Sequence, residues 1–181
     1  KLCTCVGQIV VCQGNLNFAI NFVKDLILNS ANDSTSKIIT HIKKMNLLLS
    51  LEISHSLLTS IPSNAFLNNK HLISLNLSNN LIATIFQQSF NSLTSLTFLN
   101  LCNNNLQALP ALSFQYLKSL RYLCLCNNLI KTLFRKSFFQ LSALEFLDLS
   151  RNQIQSIVND IFDDLFELKE LNIKVNDLYI K

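Results

Sequence analysis

The sequence predicts an α/β-type solenoid: similar coils stacked into a curved horseshoe, with a parallel β-sheet on the concave side and an irregular or short-helical convex side. Three observations predict it. Shifting the 181-residue chain by 24 residues brings Asn80, Asn104, Asn128, Asn152 and Asn176 into one column. The same shift aligns Phe66, Phe90, Phe114, Phe138 and Phe162. The leucines keep the register as well: Leu72, Leu75 and Leu77 recur as Leu96, Leu99 and Leu101, as Leu120, Leu123 and Leu125, and as Leu144, Leu147 and Leu149.

The series begins one step earlier, at Leu48, Leu51 and Ile53, with Ser56 where the asparagine belongs, and it ends in an incomplete copy at Leu168, Leu171 and Ile173. Repeats therefore start near residues 48, 72, 96, 120, 144 and 168 and fill residues 48–181. Residues 1–25 are expected to form a cysteine-containing N-terminal cap and residues 26–47 a degenerate capping repeat, with Leu26, Leu28, Ile38, Ile39, Ile42 and Met45 as its apolar positions.

Each copy reads L-x-x-L-x-L-x-x-N-x-L/I. This resembles the signature of the leucine-rich-repeat family, and the 24-residue length with a phenylalanine is similar to repeats of its secreted and cell-surface members. The resemblance implies a non-enzymatic recognition module that binds a protein on its concave face.

Elementary physics gives the same architecture. In Leu75-Asn76-Leu77 the alternation is that of a short strand, with both leucines inward and Asn76 outward. A return of 24 residues allows neighbouring strands to lie parallel. Strands pack about 4.8 Å apart while the phenylalanine arc is bulkier, so the stack must bend with the sheet inside. The asparagine column is expected to be structural, its amides satisfying backbone groups where the chain leaves the strand. The phenylalanine column is expected to form a spine on the convex side.

At the N-terminus, Cys3, Cys5 and Cys12 give C-x-C-x6-C. This resembles the end of the cysteine-rich cap of extracellular leucine-rich-repeat proteins, and the resemblance implies a Cys3–Cys12 disulfide, with Cys5 pairing upstream. The proline-containing turn usual after that cap is missing. At the other end the array stops inside a repeat without a closing cap, so the natural protein is expected to continue. The start of the chain does not read as a secretion signal, and no apolar run is long enough to span a bilayer. Any membrane attachment is thus expected from segments outside this chain.

Composition narrows the function. With glycine only at Gly7 and Gly14, a glycine-rich phosphate loop or nucleophile elbow lacks its essential residue. The net charge of +4 arises from scattered bases, so nucleic acid is not the expected partner. No cofactor, metal or catalytic residue is expected; His41, His55 and His71 lie far along the array from the central cysteines.

The concave columns hold the candidate site. Before the second leucine of successive repeats stand Ser50, Ser74, Phe98, Tyr122, Phe146 and Glu170. The three aromatics either anchor a partner or stack on one another along the sheet. The next column holds Glu52, Asn76, Asn100, Cys124, Asp148 and Asn172, and a third holds Ser54, Ser78, Cys102, Cys126, Ser150 and Lys174, expected on the same exposed face. Arg121 and Arg151 are read as a rim, or as solvated surface arginines. The expected ligand-binding set is Phe98, Asn100, Arg121, Tyr122, Cys124, Phe146, Asp148 and Arg151. For Cys102, Cys124 and Cys126, free thiols are expected ahead of a Cys102–Cys126 bridge or a metal site. Asn32 and Asn76 match the glycosylation pattern, and a glycan on Asn76 would obstruct the concave face. An extracellular or cell-surface location is expected; an intracellular scaffold and an innate immune receptor ectodomain recognising microbial ligands are the alternatives.

Overall fold

The structure, a computed structural model, describes residues 3–6, 9–13, 25–29 and 35–179; for 3–6, 9–10, 12–13 and 29 it describes the backbone alone. In chain order the elements are β1 (Cys3–Val6), β2 (Ile9–Gln13), β3 (Asp25–Asn29), α1 (Thr35–Ile42), β4 (Ser50–Ser54), β5 (Ser60–Ile61) and β6 (Ser74–Asn76). They continue as β7 (Thr84–Ile85), β8 (Phe98–Asn100), β9 (Ala108–Leu109), β10 (Tyr122–Cys124), β11 (Thr132–Leu133), β12 (Phe146–Asp148) and β13 (Glu170–Asn172).

One sheet of nine strands runs β1-β2-β3-β4-β6-β8-β10-β12-β13. Its register follows the period: Leu75 faces Leu99, Leu99 faces Leu123, Leu123 faces Leu147 and Leu147 faces Leu171, all in parallel pairs. The result is the horseshoe solenoid that the sequence predicts. Leucines at the three conserved-spacing positions of the central coils are fully buried in one continuous core. Among the described residues the outer arc carries the two-residue pairs β5–β7 and β9–β11, a parallel bridge from Thr132 to Ser156, and little helix.

The first strands close the end of the sheet. β1 and β2 form an antiparallel pair with Cys3 opposite Cys12, and β2 then runs parallel to β3. Covering the edge this way satisfies backbone groups that a solenoid end would leave open. The side chains of Cys3, Cys5 and Cys12, and so the expected disulfide, lie outside the described ones, as does Asn32. β3 continues the register, with Leu26 opposite Leu51 and Leu28 opposite Ile53. After it α1 buries Ile38, Ile39 and Ile42 on one face. Asn69, buried where later coils place Leu93, Leu117 and Leu141, donates its amide to the Ile42 and Met45 carbonyls at 3.1 and 2.7 Å and so caps the end of that helix. Among the described residues no helix is long and apolar enough to cross a membrane.

The asparagine column ties coil to coil. Asn104 Nδ2 donates to Leu77 O of the preceding coil at 3.0 Å and to Leu101 O and Cys102 O of its own coil, while its Oδ1 accepts Ile82 N–H at 2.9 Å. Asn80, Asn128 and Asn152 repeat this set, and Asn176 repeats it with Leu149, Ile173 and Ile154. Every such amide follows a residue in the left-handed region: Asn79, Asn103, Asn127, Arg151 and Val175 have φ between 51° and 58°. Asparagine tolerates that backbone, whereas a β-branched valine does so at a cost. On the far side, Phe66, Phe90 and Phe114 stack at 6.2 and 5.8 Å, and Phe138 stacks on Phe162 at 5.9 Å.

Candidate binding surface on the concave sheet

β8, β10 and β12 hold the expected site residues in two rows. Phe98 faces Tyr122 and Tyr122 faces Phe146, while Asn100 faces Cys124 and Cys124 faces Asp148. The intervening Leu99, Leu123 and Leu147 are fully buried, which turns both rows to the other side of the sheet. The rings of Tyr122 and Phe146 lie 6.2 Å apart in a tilted contact, 35° between their planes, so the two pack against each other along the sheet; Tyr122 still keeps 45% of its surface exposed. Ring contact and outward presentation therefore coexist at Tyr122.

The second row has a backbone role that sequence reading missed. Asn100 Oδ1 accepts the N–H of Cys102 at 3.0 Å, and Asp148 Oδ1 accepts the N–H of Ser150 at 2.8 Å. Asn76 and Asn172 make the same turn with Ser78 and Lys174. An Asn or Asp followed two residues on by a chain reversal is the signal that was available. Asn76, the glycosylation candidate on β6, is engaged in this turn through its Oδ1. At Cys124 no such acceptor exists, and the Cys126 N–H instead donates to Cys102 Sγ at 3.0 Å.

Two expectations about the third column are corrected. Ser54, Ser78, Cys102 and Ser150 are buried, not displayed on the concave face. The strands β8, β10 and β12 end one residue after the inward leucine, so the alternation cannot be extended two residues further. Free thiols at Cys102 and Cys126 are likewise overturned: the two residues sit on adjacent coils with Cα atoms 4.6 Å apart, and their sulfurs are joined as a disulfide. Among the described side chains Cys124 is the free thiol. Burial, and next the Asp148 carboxylate, push its pKa up to about 11, which keeps it protonated and a poor nucleophile.

The arginines do not form a common rim. Arg121 precedes β10 and Arg151 follows β12, which places them on opposite borders of the ribbon. Arg121 belongs to an ion ladder that the period would have shown: its guanidinium and the Lys169 ammonium each lie 2.8 Å from the Glu145 carboxylate, all at the same repeat position. The Lys169 hydrogen bond, reinforced by the charges of Lys169 and Arg121, holds the Glu145 carboxyl below its ordinary pKa, and Glu145 raises that of Lys169. A crevice of about 280 Å³ between β7 and β9 is lined by Ala83, Thr84, Ile85, Gln107, Ala108 and Pro110 and contains no ionisable group. Among the described residues no group of three or more His, Cys, Asp or Glu is placed to hold a metal.

A family model described as leucine rich repeat matches residues 46–106, 94–154 and 125–178, well over half of the chain. The chain belongs to the leucine-rich-repeat family. Its fold supports a protein-binding repeat module, and leucine-rich-repeat proteins are generally binding modules without enzymatic activity. No curated protein matches the chain. Among solved structures, a leucine-rich-repeat protein of Leptospira interrogans is 31% identical with a TM-score of 0.73, over 86% of this chain and 39% of that one. TLR13, solved in complex with ssRNA13, is 27% identical with a TM-score of 0.68, over 89% of this chain and 26% of that one. An internalin of Listeria monocytogenes, at 22% identity and TM-score 0.68 over 88% of this chain and 45% of its own, shares the fold. The chain thus spans less than half the length of each of these relatives.

Proposed function

We propose that this chain is the recognition module of a cell-surface receptor, adhesion protein or secreted binder, and that it engages a protein partner through the concave face of β8, β10 and β12. One observation carries the reading: three in-register strands put Phe98, Tyr122 and Phe146 side by side on the open face, with Tyr122 nearly half exposed. Aromatic side chains bring large contact area at small entropic cost and dominate interface energetics. The Cys102–Cys126 disulfide and the N-terminal cysteine motif favour an oxidising, extracellular compartment.

The test is capture of partners by the chain, followed by quantitative binding with the F98A/Y122A/F146A variant. A loss of more than about 2 kcal/mol, roughly thirtyfold in Kd, is expected if these rings are the anchor. Unchanged affinity in a folded triple variant would leave the rings as sheet packing alone. A second reading, a nucleic-acid partner, draws on the TLR13–ssRNA13 neighbour; partner capture that disappears on nuclease treatment would favour it.

A further inference from the structure

The aromatic pair has charged neighbours that the architecture does not require. Each strand-ending turn needs only an Oδ1 acceptor, and Asn76, Asn100 and Asn172 supply it as neutral amides. Asp148 makes the identical turn with a carboxylate. Glu170, in register with Phe146 on β13, adds a second carboxylate in the aromatic row. Among the described residues no ion pair reaches Asp148 or Glu170, and Arg121 and Lys169 are both paired with Glu145. The charge on Asp148 is felt locally, since it contributes to the raised pKa of Cys124.

We propose that Tyr122, Phe146, Asp148 and Glu170 form an anchor point for a basic side chain, lysine or arginine, of the protein partner. The inference rests on the concave-face reading above and names the chemistry that this face selects. Ring faces attract cations, and carboxylates without an ion partner strengthen the attraction through charge-assisted hydrogen bonds. The rings lie side by side on an open ribbon instead of enclosing a cage. That geometry suits the long side chain of a lysine or arginine laid along the rings with its charged end at the carboxylates.

The test is an NMR titration of the chain with capped lysine and capped arginine, each beside its neutral counterpart, capped norleucine and capped citrulline. The ring signals of Tyr122 and Phe146 are expected to shift with the cationic probes, and the neutral probes to bind at least about tenfold more weakly. The D148N/E170Q variant, which keeps the Oδ1 acceptor that three other coils supply as asparagine, is expected to reduce the cationic probes to the neutral level. Equal shifts from neutral probes, no shift from either cation, or wild-type binding in the double variant each overturn the proposal. The two readings separate cleanly. If the cation site fails while F98A/Y122A/F146A still abolishes partner binding, the concave face stands without this specificity. If cations bind at the rings but the alanine variant keeps its partner, the concave-face reading falls.

Discussion

Replacing Asn104 with alanine isolates what holds the coils in register. Its side chain accepts one buried N–H, from Ile82, and shares two amide protons among the carbonyls of Leu77, Leu101 and Cys102. Three net hydrogen bonds at about 1 kcal/mol each give a loss of about 3 kcal/mol. The groups left without partners are buried, which raises the loss toward about 5 kcal/mol. With a urea m-value of about 2 kcal/mol/M, the unfolding midpoint should fall by about 1.5 to 2.5 M. Asn105→Ala, at an exposed neighbour outside the ladder, is the control and should stay within about 0.5 kcal/mol of the parent. If the two variants unfold at the same urea concentration, the amide ladder is not what joins the coils.

Other outcomes follow from the cysteines and the ion ladder. With a pKa of about 11, the Cys124 thiol should resist iodoacetamide in native protein at about pH 8 and react once unfolded, while Cys102 and Cys126 should react only after reduction; alkylated-peptide mass spectrometry reads both. Glu145 has a folded-state pKa below the ordinary 4.5, so its contribution to stability is complete above that value and lost as pH falls through the lower folded value. The E145Q variant should therefore match the parent at the acid end of a urea-midpoint series and fall below it toward neutral pH, by a small amount that salt reduces because the pair is exposed.

The repeat architecture was legible because independent columns of leucine, asparagine and phenylalanine share one period, and burial enforces each of them separately. Leu26 and Leu28 could be placed because they keep the leucine spacing even where the rest of the repeat is degenerate. The aromatic row was legible because residues adjoining an inward leucine within a strand must point outward. Cys102 and Cys126 were misjudged where that rule was carried past the end of β8 and β10: the chain has already turned there, and the turn brings the two cysteines together on adjacent coils and buries Cys102. The Arg121–Glu145–Lys169 ladder obeys the same period as the leucines, but reading Arg121 alone hid its partners. Asn100 and Asp148 were read as purely outward groups because the backbone N–H that each satisfies becomes visible only once the turn is built. The helix α1 was not foreseen: its Ile38, Ile39 and Ile42 fit a helical face, yet they follow a polar stretch that reads as loop.

The central claim, that recognition occurs on the ribbon of strands and not on the outer arc, is tested most directly by placing a photo-crosslinking phenylalanine analogue at Phe98 or at Phe86. Phe98 lies in the concave aromatic row, whereas Phe86 is exposed just past β7, outside the nine-stranded sheet. With the captured partner bound, covalent adducts should form from position 98 and be absent from position 86; adducts from position 86 alone would contradict the account.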